Sequence, residues 1–219
     1  MKKQILGTIL SLTLVGCGAG TERAIDRESL QEGMKKQEVK VLREADILQA
    51  AMEWGDEISQ EAQKALLTTL QEAIASRGTV GAVEYCNVAA LPLMDSLSNA
   101  YGVTVRRVSH KLRNPADAPL IEMEEILLEA YVYNEENGLK SESNLQKIDG
   151  GETLLYTKPI TIGSGLCLSC HGKDEISTET LQKINELYPN DNATGHELNS
   201  LRGMWSIKLP KSAVINAKF

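Results

Sequence analysis

The residues best equipped for chemistry are Cys167, Cys170 and His171, which form a C-x-x-C-H pattern. This pattern is typical of covalent c-type haem attachment, because two thiols one helical turn apart can each form a thioether with a haem vinyl group. The residue after the second thiol then lies beneath the iron, so we expect His171 to be the proximal axial ligand. The sequence therefore predicts one covalently bound haem c at this motif.

Other uses of a C-x-x-C pair explain the sequence less well. A thioredoxin-like redox pair leaves the histidine that follows it unexplained. A structural zinc site needs two further cysteine or histidine ligands in a second cluster of suitable spacing, and the sequence contains no such cluster. A chance match in a cytosolic protein is the remaining alternative, and the N-terminus of the chain argues against it.

The N-terminus predicts export. Two lysines precede an apolar run from Ile5 through Val15 that is too short to span a bilayer, which is typical of a secretory signal, here over 1–16. The run ends in a sequence that resembles a bacterial lipobox, so Cys17 is predicted to be the lipidated first residue of the mature chain. The alternative is an ordinary cleavage site beside a coincidental cysteine. We expect a lipid anchor facing the periplasm or the cell surface, and Gly18 favours the outer membrane in a Gram-negative cell.

Export and haem attachment support each other, because bacteria attach haem c outside the cytoplasm.

Composition then limits the partners. Of the 219 residues, 42% are hydrophobic and 24% are charged, which suits one globular domain over 38–219 behind a polar tether over 17–37. The net charge of −7 argues against nucleic acid and anionic lipid as partners and mildly favours a basic partner.

Long helices are predicted to precede the motif. Apolar residues at helical spacing predict a helix over 38–76 that bends at Gly55 and is ended by Gly78. A second helix is predicted over 79–101, with Cys86 on its apolar face. From the residues alone, Cys86 is either an inert core thiol or an iron ligand, because free cysteines are among the most buried residues.

Short elements are predicted to follow. Branched residues and turn signals predict strands over 103–108, within 140–162 around a Gly150-Gly151 turn, and over 202–209, with helices over 120–134 and 178–187. We interpret the acidic residues Glu122, Glu124 and Glu125 as a solvated helix face. Long helices followed by antiparallel strands favour an α+β domain with one antiparallel sheet.

Further motifs accompany the C-x-x-C-H pattern in a definite order. They are Ala82-Val83-Glu84-Tyr85-Cys86, Arg106-Arg107, Arg113-Asn114-Pro115-Ala116-Asp117-Ala118-Pro119, Tyr188-Pro189-Asn190-Asp191-Asn192-Ala193-Thr194-Gly195 and Leu201-Arg202-Gly203-Met204-Trp205-Ser206. Over about Glu38 to Leu209, this order resembles the bacterial family of c-type-haem PAS-like domains. That family is found alone, and also as the sensor part of histidine kinases and chemoreceptors.

The resemblance implies a PAS-like antiparallel sheet packed with long N-terminal helices. It also implies that the haem iron is held by a histidine and a cysteine thiolate, which on this sequence are His171 and Cys86. Two residues depart from the expected pattern. His110 stands inside the basic strand-loop segment, and His196 stands where an aromatic or aliphatic residue is expected. Each adds a possible competing ligand, although we expect both to lie on exposed segments.

The sixth iron ligand decides the expected behaviour of the protein. Methionine raises the reduction potential and suits an electron carrier, whereas a thiolate stabilises ferric iron and can detach to admit a diatomic gas such as nitric oxide or carbon monoxide. The thiolate is therefore typical of a sensor. The candidate methionines, which are more often core residues than ligands, are Met52, Met94, Met123 and Met204.

Arginines could bind the haem propionates through paired hydrogen bonds, and Arg202 is the preferred candidate beside Arg106, Arg107 and Arg113. The sequence thus predicts an exported haem c protein that senses redox state or a diatomic gas and acts through a separate signalling or redox protein. The alternative is a small electron-transfer cytochrome that docks to a larger redox complex. An enzyme such as a peroxidase is disfavoured, because no distal acid-base group is recognisable near the motif.

Overall fold

The structure is a computed structural model that describes residues 41–219. The predicted signal sequence, the lipidation site Cys17 and the tether lie outside the described residues, so these remain predictions.

Five helices and four strands make up the described part of the chain. The helices are α1 (Glu44–Tyr101), α2 (Glu122–Glu136), α3 (Gly165–His171), α4 (Thr178–Leu187) and α5 (Lys211–Lys218). The strands are β1 (Thr104–Val108), β2 (Asn144–Ile148), β3 (Thr153–Thr161) and β4 (Leu201–Pro210). Helix α5 is absent from the elements expected from the sequence, because its eight residues carry too short an apolar pattern to predict a helix.

The strands form one antiparallel sheet in the order β1-β4-β3-β2. Successive side chains of a strand point to opposite faces, and both faces of the central strand β4 are covered. Trp205 and Ile207 pack into a hydrophobic cluster with α1, whereas Met204 packs into a second cluster with α2. The predicted α+β class, with one antiparallel sheet on a long N-terminal helical segment, is confirmed.

Helix α1 is interrupted at Gly78, which divides it into a first arm (44–77) and a second arm (79–101). Gly78 has φ 69° and ψ 178°, a conformation that residues with a Cβ rarely adopt. The predicted helix end at this glycine is therefore confirmed. The bend predicted at Gly55 is wrong, since Gly78 alone has non-helical dihedral angles within α1.

Gly55 instead allows the first arm to approach the sheet closely. A Cβ at this position would lie 2.3 Å from ring carbons of Tyr156 on β3, and that tyrosine is fully buried. The hydroxyl of Tyr156 donates a hydrogen bond to Asp56 Oδ1 over 2.6 Å, and Lys158 Nζ donates to the same oxygen over 2.8 Å. The first arm is thus fixed to β3 by packing, hydrogen bonds and an ion pair.

The interpretation of the acidic residues at the start of α2 as a solvated face is wrong for Glu124. This side chain is fully buried on the face that meets the sheet. Both of its oxygens accept hydrogen bonds from Arg106 Nη1, and Ser206 Oγ donates to Oε1 over 2.6 Å. A buried carboxylate is tolerated when it is paired in this way. Within residues 41–219, no helix is both long and apolar enough to cross a membrane.

Candidate functional site

One open cavity brings together the residues that the sequence singled out. It lies between both arms of α1, the sheet and α3, and about 1210 Å³ of space free of protein atoms, part of it open to solvent, lies within it and at its mouth. The predicted site residues that line it are Cys86, Cys167, Cys170, His171 and Arg202. They come from α1, α3 and β4, so the fold assembles the site from distant parts of the chain.

Helix α3 carries the C-x-x-C-H pattern and is held firmly at its C-terminal end. Arg113 Nη2 donates a hydrogen bond to the carbonyl oxygen of Cys170 over 2.8 Å. The same guanidinium forms a paired interaction with Asp191, with Nε–Oδ1 and Nη2–Oδ2 distances of 2.9 and 3.1 Å. The Arg113 and Asp191 side chains are only 12% and 3% exposed. This ion pair, the Arg113–Asp191 clamp, therefore fixes the backbone that carries the second thiol.

The imidazole of His171 has a defined orientation. Its Nδ1 lies 2.7 Å from the carbonyl oxygen of Ala193, and a carbonyl oxygen can only accept, so Nδ1 carries the proton. Burial, together with the nearby cations Arg202 and Arg113, holds the pKa of His171 well below its usual value. The ring is thus neutral, with Nε2 unprotonated. A hydrogen bond from the other ring nitrogen to a backbone carbonyl is typical of histidines that ligate metals.

The thiol of Cys86 enters the same cavity from the second arm of α1. Its neighbours Ala82 and Ala90 also line the cavity, and their small side chains leave room beside the helix. Burial raises the pKa of the Cys86 thiol, and Arg107 and Arg113 partly oppose this effect. Along the described chain, Cys86, Cys167 and Cys170 are free of disulfides, so their thiols are chemically available.

The rim of the cavity is cationic. Arg107, Arg113 and Arg202 line it, whereas Asp117 is the one acidic residue among the described lining residues. Arg202 donates through Nη1 to Ser109 Oγ over 2.6 Å and to the Lys111 carbonyl oxygen over 3.1 Å.

Two of these guanidinium groups retain bonding capacity. Arg202 has no carboxylate within ion-pair distance among residues 41–219, and burial lowers its pKa to about 10. The buried Nε of Arg107 has no hydrogen-bond partner. The guanidinium of Arg106 instead binds Glu124 and two carbonyl oxygens near α2. Arg106 therefore does not join the site, in contrast to Arg107, Arg113 and Arg202.

Of the other candidate iron ligands, only His196 lies close to the haem-binding motif. The four methionines pack into or against the hydrophobic clusters on either face of the sheet, and none lines the cavity; they are Met52, Met94, Met123 and Met204. His110 is exposed, as expected. The expectation that His196 is exposed is wrong, because only 4% of it is accessible and its ring centroid lies 6.2 Å from that of His171.

The donor set of the cavity fits a c-type haem. It offers a pair of thiols for vinyl groups, a neutral imidazole nitrogen, a third thiol on another helix, and guanidinium groups that suit carboxylates. A cluster of three or more His, Cys, Asp or Glu residues arranged to hold a bare metal ion is not found within residues 41–219.

Sequence reasoning assigned no role to Asp191 or Ala193, although both stand in a motif that carried the resemblance. Asp191 pairs with Arg113 and also accepts a hydrogen bond from the Ala193 amide over 3.3 Å. The signal was the Pro-Asn-Asp-Asn sequence after α4, because aspartate in such a turn commonly binds a backbone amide two residues on.

Among the comparisons with known proteins, the match to a family model agrees with these motifs. No curated protein matches the chain. A solved structure, the crystal structure of the cyanobacterial heme-protein Tll0287, is 24% identical, covers 70% of this chain and 95% of its own, and has a TM-score of 0.48. The model of the Tll0287-like family matches residues 27–210, which is well over half of the chain. The family resemblance drawn from the ordered motifs is therefore confirmed, and this chain belongs to the Tll0287-like family.

Proposed function

We propose that this protein is an exported haem c protein that senses redox state or a diatomic gas. Cys167 and Cys170 attach the haem covalently, and His171 and Cys86 are its axial ligands. The observation that carries the proposal is that Cys86, 81 positions before the first attachment cysteine, lines the same cavity as the whole C-x-x-C-H motif. A bound haem would supply a redox-active iron with an exchangeable axial position.

His171 is the ligand that stays in place. Its Nδ1–H is fixed to Ala193, and the Arg113–Asp191 clamp holds the backbone next to it. A residue held by both its side chain and its backbone cannot move far without breaking buried hydrogen bonds. The imidazole of His171 is therefore expected to keep the same position within the site.

Cys86 is the ligand that can leave. Its thiol has no hydrogen-bond partner within the described residues, and it belongs to an arm of α1 beyond the break at Gly78. An anionic thiolate favours ferric iron, so reduction weakens its hold. The contrast between a histidine fixed by buried hydrogen bonds and a cysteine thiol without one supports sensing, since an electron carrier functions best when both ligands remain bound.

The cellular setting is part of the proposal. Export and lipid attachment at Cys17 place the domain in the periplasm or at the cell surface, and a separate protein receives its signal. The heme-protein named in the comparison supports the cofactor assignment, and the cationic rim supports a ligand with carboxylate groups such as the haem propionates.

The test uses the full chain produced with a bacterial haem c maturation system. Covalent attachment is measured by haem staining on a denaturing gel and by the pyridine haemochrome spectrum. Electron paramagnetic resonance spectra of the oxidised protein are then compared between wild type, Cys86→Ser and Met94→Leu. Met94 is the matched control, because it lies on the same arm but packs in the core.

We expect a low-spin ferric thiolate signal in wild type and in Met94→Leu, and its loss in Cys86→Ser. If Cys86→Ser is indistinguishable from wild type, Cys86 is a core residue and the electron-transfer alternative gains ground. If no haem is covalently attached, the proposal is wrong as a whole.

A further inference from the structure

Three histidines form a continuous file from the protein surface to the predicted iron ligand. His110 is exposed, His196 is 4% exposed, and His171 lines the haem cavity. The ring centroids of His110 and His196 are 6.4 Å apart, and those of His196 and His171 are 6.2 Å apart, each pair in an edge-to-face arrangement. The two outer members are the same residues that depart from the expected family pattern.

Structural needs do not account for a histidine at position 196. Its Nδ1 lies 3.3 Å from Ser200 Oγ, but its Nε2 is buried without any hydrogen-bond partner. An apolar ring would fill the same space without leaving a buried polar atom unsatisfied. The histidine therefore calls for an explanation beyond packing, and its position between His110 and His171 supplies one.

The outer end of the file opens into a separate groove beside α2. His110 lines this groove together with Tyr133 and three glutamates of one helix face, Glu125, Glu129 and Glu136. No lysine or arginine lines it. The three carboxylates are exposed and make no ion pair with any described cation, so their charge is not neutralised locally.

We propose that this groove is the electron-exchange surface of the protein and that its partner is a redox protein with a basic docking surface. The inference rests on the proposed haem at His171. The three glutamates of the groove attract a basic partner electrostatically before contact is made. Tyr133, which is 60% exposed, offers an amphipathic contact of the kind enriched at interfaces. His110 and His196 then lie between the partner and His171.

The exchange is a single-electron step. One electron passes between the partner and the iron held by His171 through the ring edges of His110 and His196; one redox centre is oxidised as the other is reduced. No bond to carbon forms or breaks. The step moves no proton on His171, which keeps its Nδ1–H on Ala193 in both states.

The experiment measures reoxidation of the reduced full-length haem protein by stopped flow. The electron acceptors are a basic ferric cytochrome c and the anionic complex ferricyanide, each of which takes one electron. Wild type is compared with Glu125→Gln/Glu129→Gln/Glu136→Gln. The matched control is Glu61→Gln/Glu72→Gln/Asp95→Asn, which removes the same charge from exposed α1 positions without an ion pair.

We expect the groove variant to react with the basic cytochrome on the order of tenfold more slowly than the control at low ionic strength, and the difference to shrink as salt is added. Ferricyanide should show no such loss. His110→Ala should also slow the reaction with the basic cytochrome while leaving the haem spectrum and reduction potential unchanged, and His196→Leu should slow it as well.

Equal rates for the groove and control variants would overturn the docking surface. Unchanged rates in both histidine variants would overturn the file as the route. Neither result changes the haem content or the spectrum of the Cys86→Ser variant, whereas failure of the proposed function shows as absence of covalent haem or as an unchanged spectrum in Cys86→Ser, so the two failures are distinguishable.

Discussion

Replacing Asp191 by asparagine should destabilise the protein by about 3 kcal/mol, because it breaks a buried ion pair from one side. The Arg113 guanidinium would keep its charge at a site where only 12% of the side chain reaches solvent, and its partner is only 3% exposed. Removing one member of such a pair costs about 3–5 kcal/mol, and the remaining hydrogen bond to Cys170 places the expected value at the lower end. The measurement is urea denaturation followed by far-UV circular dichroism.

The control is Glu142→Gln, which breaks the Lys140–Glu142 pair on the surface. Those side chains are 84% and 72% exposed, so the loss of stability should be much smaller than that of the Asp191 variant. The Asp191 variant should also disturb the absorption spectrum of the haem protein, since the clamp fixes the backbone beside His171 and Ala193. If the two variants lose equal stability, the Arg113–Asp191 clamp does not hold α3 and the reasoning is refuted.

Three further predictions follow from other contacts. Gly55→Ala should cost about 1–3 kcal/mol in a denaturation experiment, since its methyl group would overlap the buried ring of Tyr156, and a neutral result would contradict the close approach. Burial lowers the pKa of His196 to about 4, so the unfolded chain binds more protons below pH 6.5 and the free energy of unfolding should fall from there toward pH 4. His196→Phe should make this fall shallower, with His171 contributing the remainder, and an unchanged slope would assign the whole fall to other groups. Arg202→Gln should lower the midpoint potential of the haem protein in a redox titration, because a cation that disfavours ferric iron is lost, whereas Lys208→Gln on the same strand should have little effect.

Local signals predicted the elements around the motif well. Helix α4 runs over the predicted residues, and Ser177 caps it by accepting a hydrogen bond from the Thr180 amide, which is a short-range signal. Gly78 ends a helical arm because its backbone conformation suits glycine. The C-x-x-C-H spacing predicts an attachment site because all of its chemistry lies within five consecutive residues, and covalent attachment there stays a prediction.

Features that depend on distant partners could not be read in the same way. From the sequence, Glu124 has the pattern of a solvated glutamate. Its hydrogen-bond partners Arg106 and Ser206 lie on strands β1 and β4, far away along the chain, so its burial could not be predicted. His196 follows a glycine in a polar segment, and its burial results from packing beside His171, 25 positions earlier. The bend expected at Gly55 assumed a backbone role, whereas the glycine is required by the ring of Tyr156, 101 positions later.

The break at Gly78 gives the two arms of α1 different mechanical attachments. The first arm is joined to the sheet through Asp56, Tyr156 and Lys158. The second arm, which carries Cys86, meets the sheet near its C-terminal end, where Val105 N donates to Ser98 Oγ, and is joined to α4 by the ion pair between Glu84 and Lys183. Under the proposed coordination, the bond between Cys86 and the iron would act on the second arm. Release of Cys86 would free the second arm to move about the break at Gly78. Helix α4 and the exposed Val88 are the parts of the surface whose positions would then change.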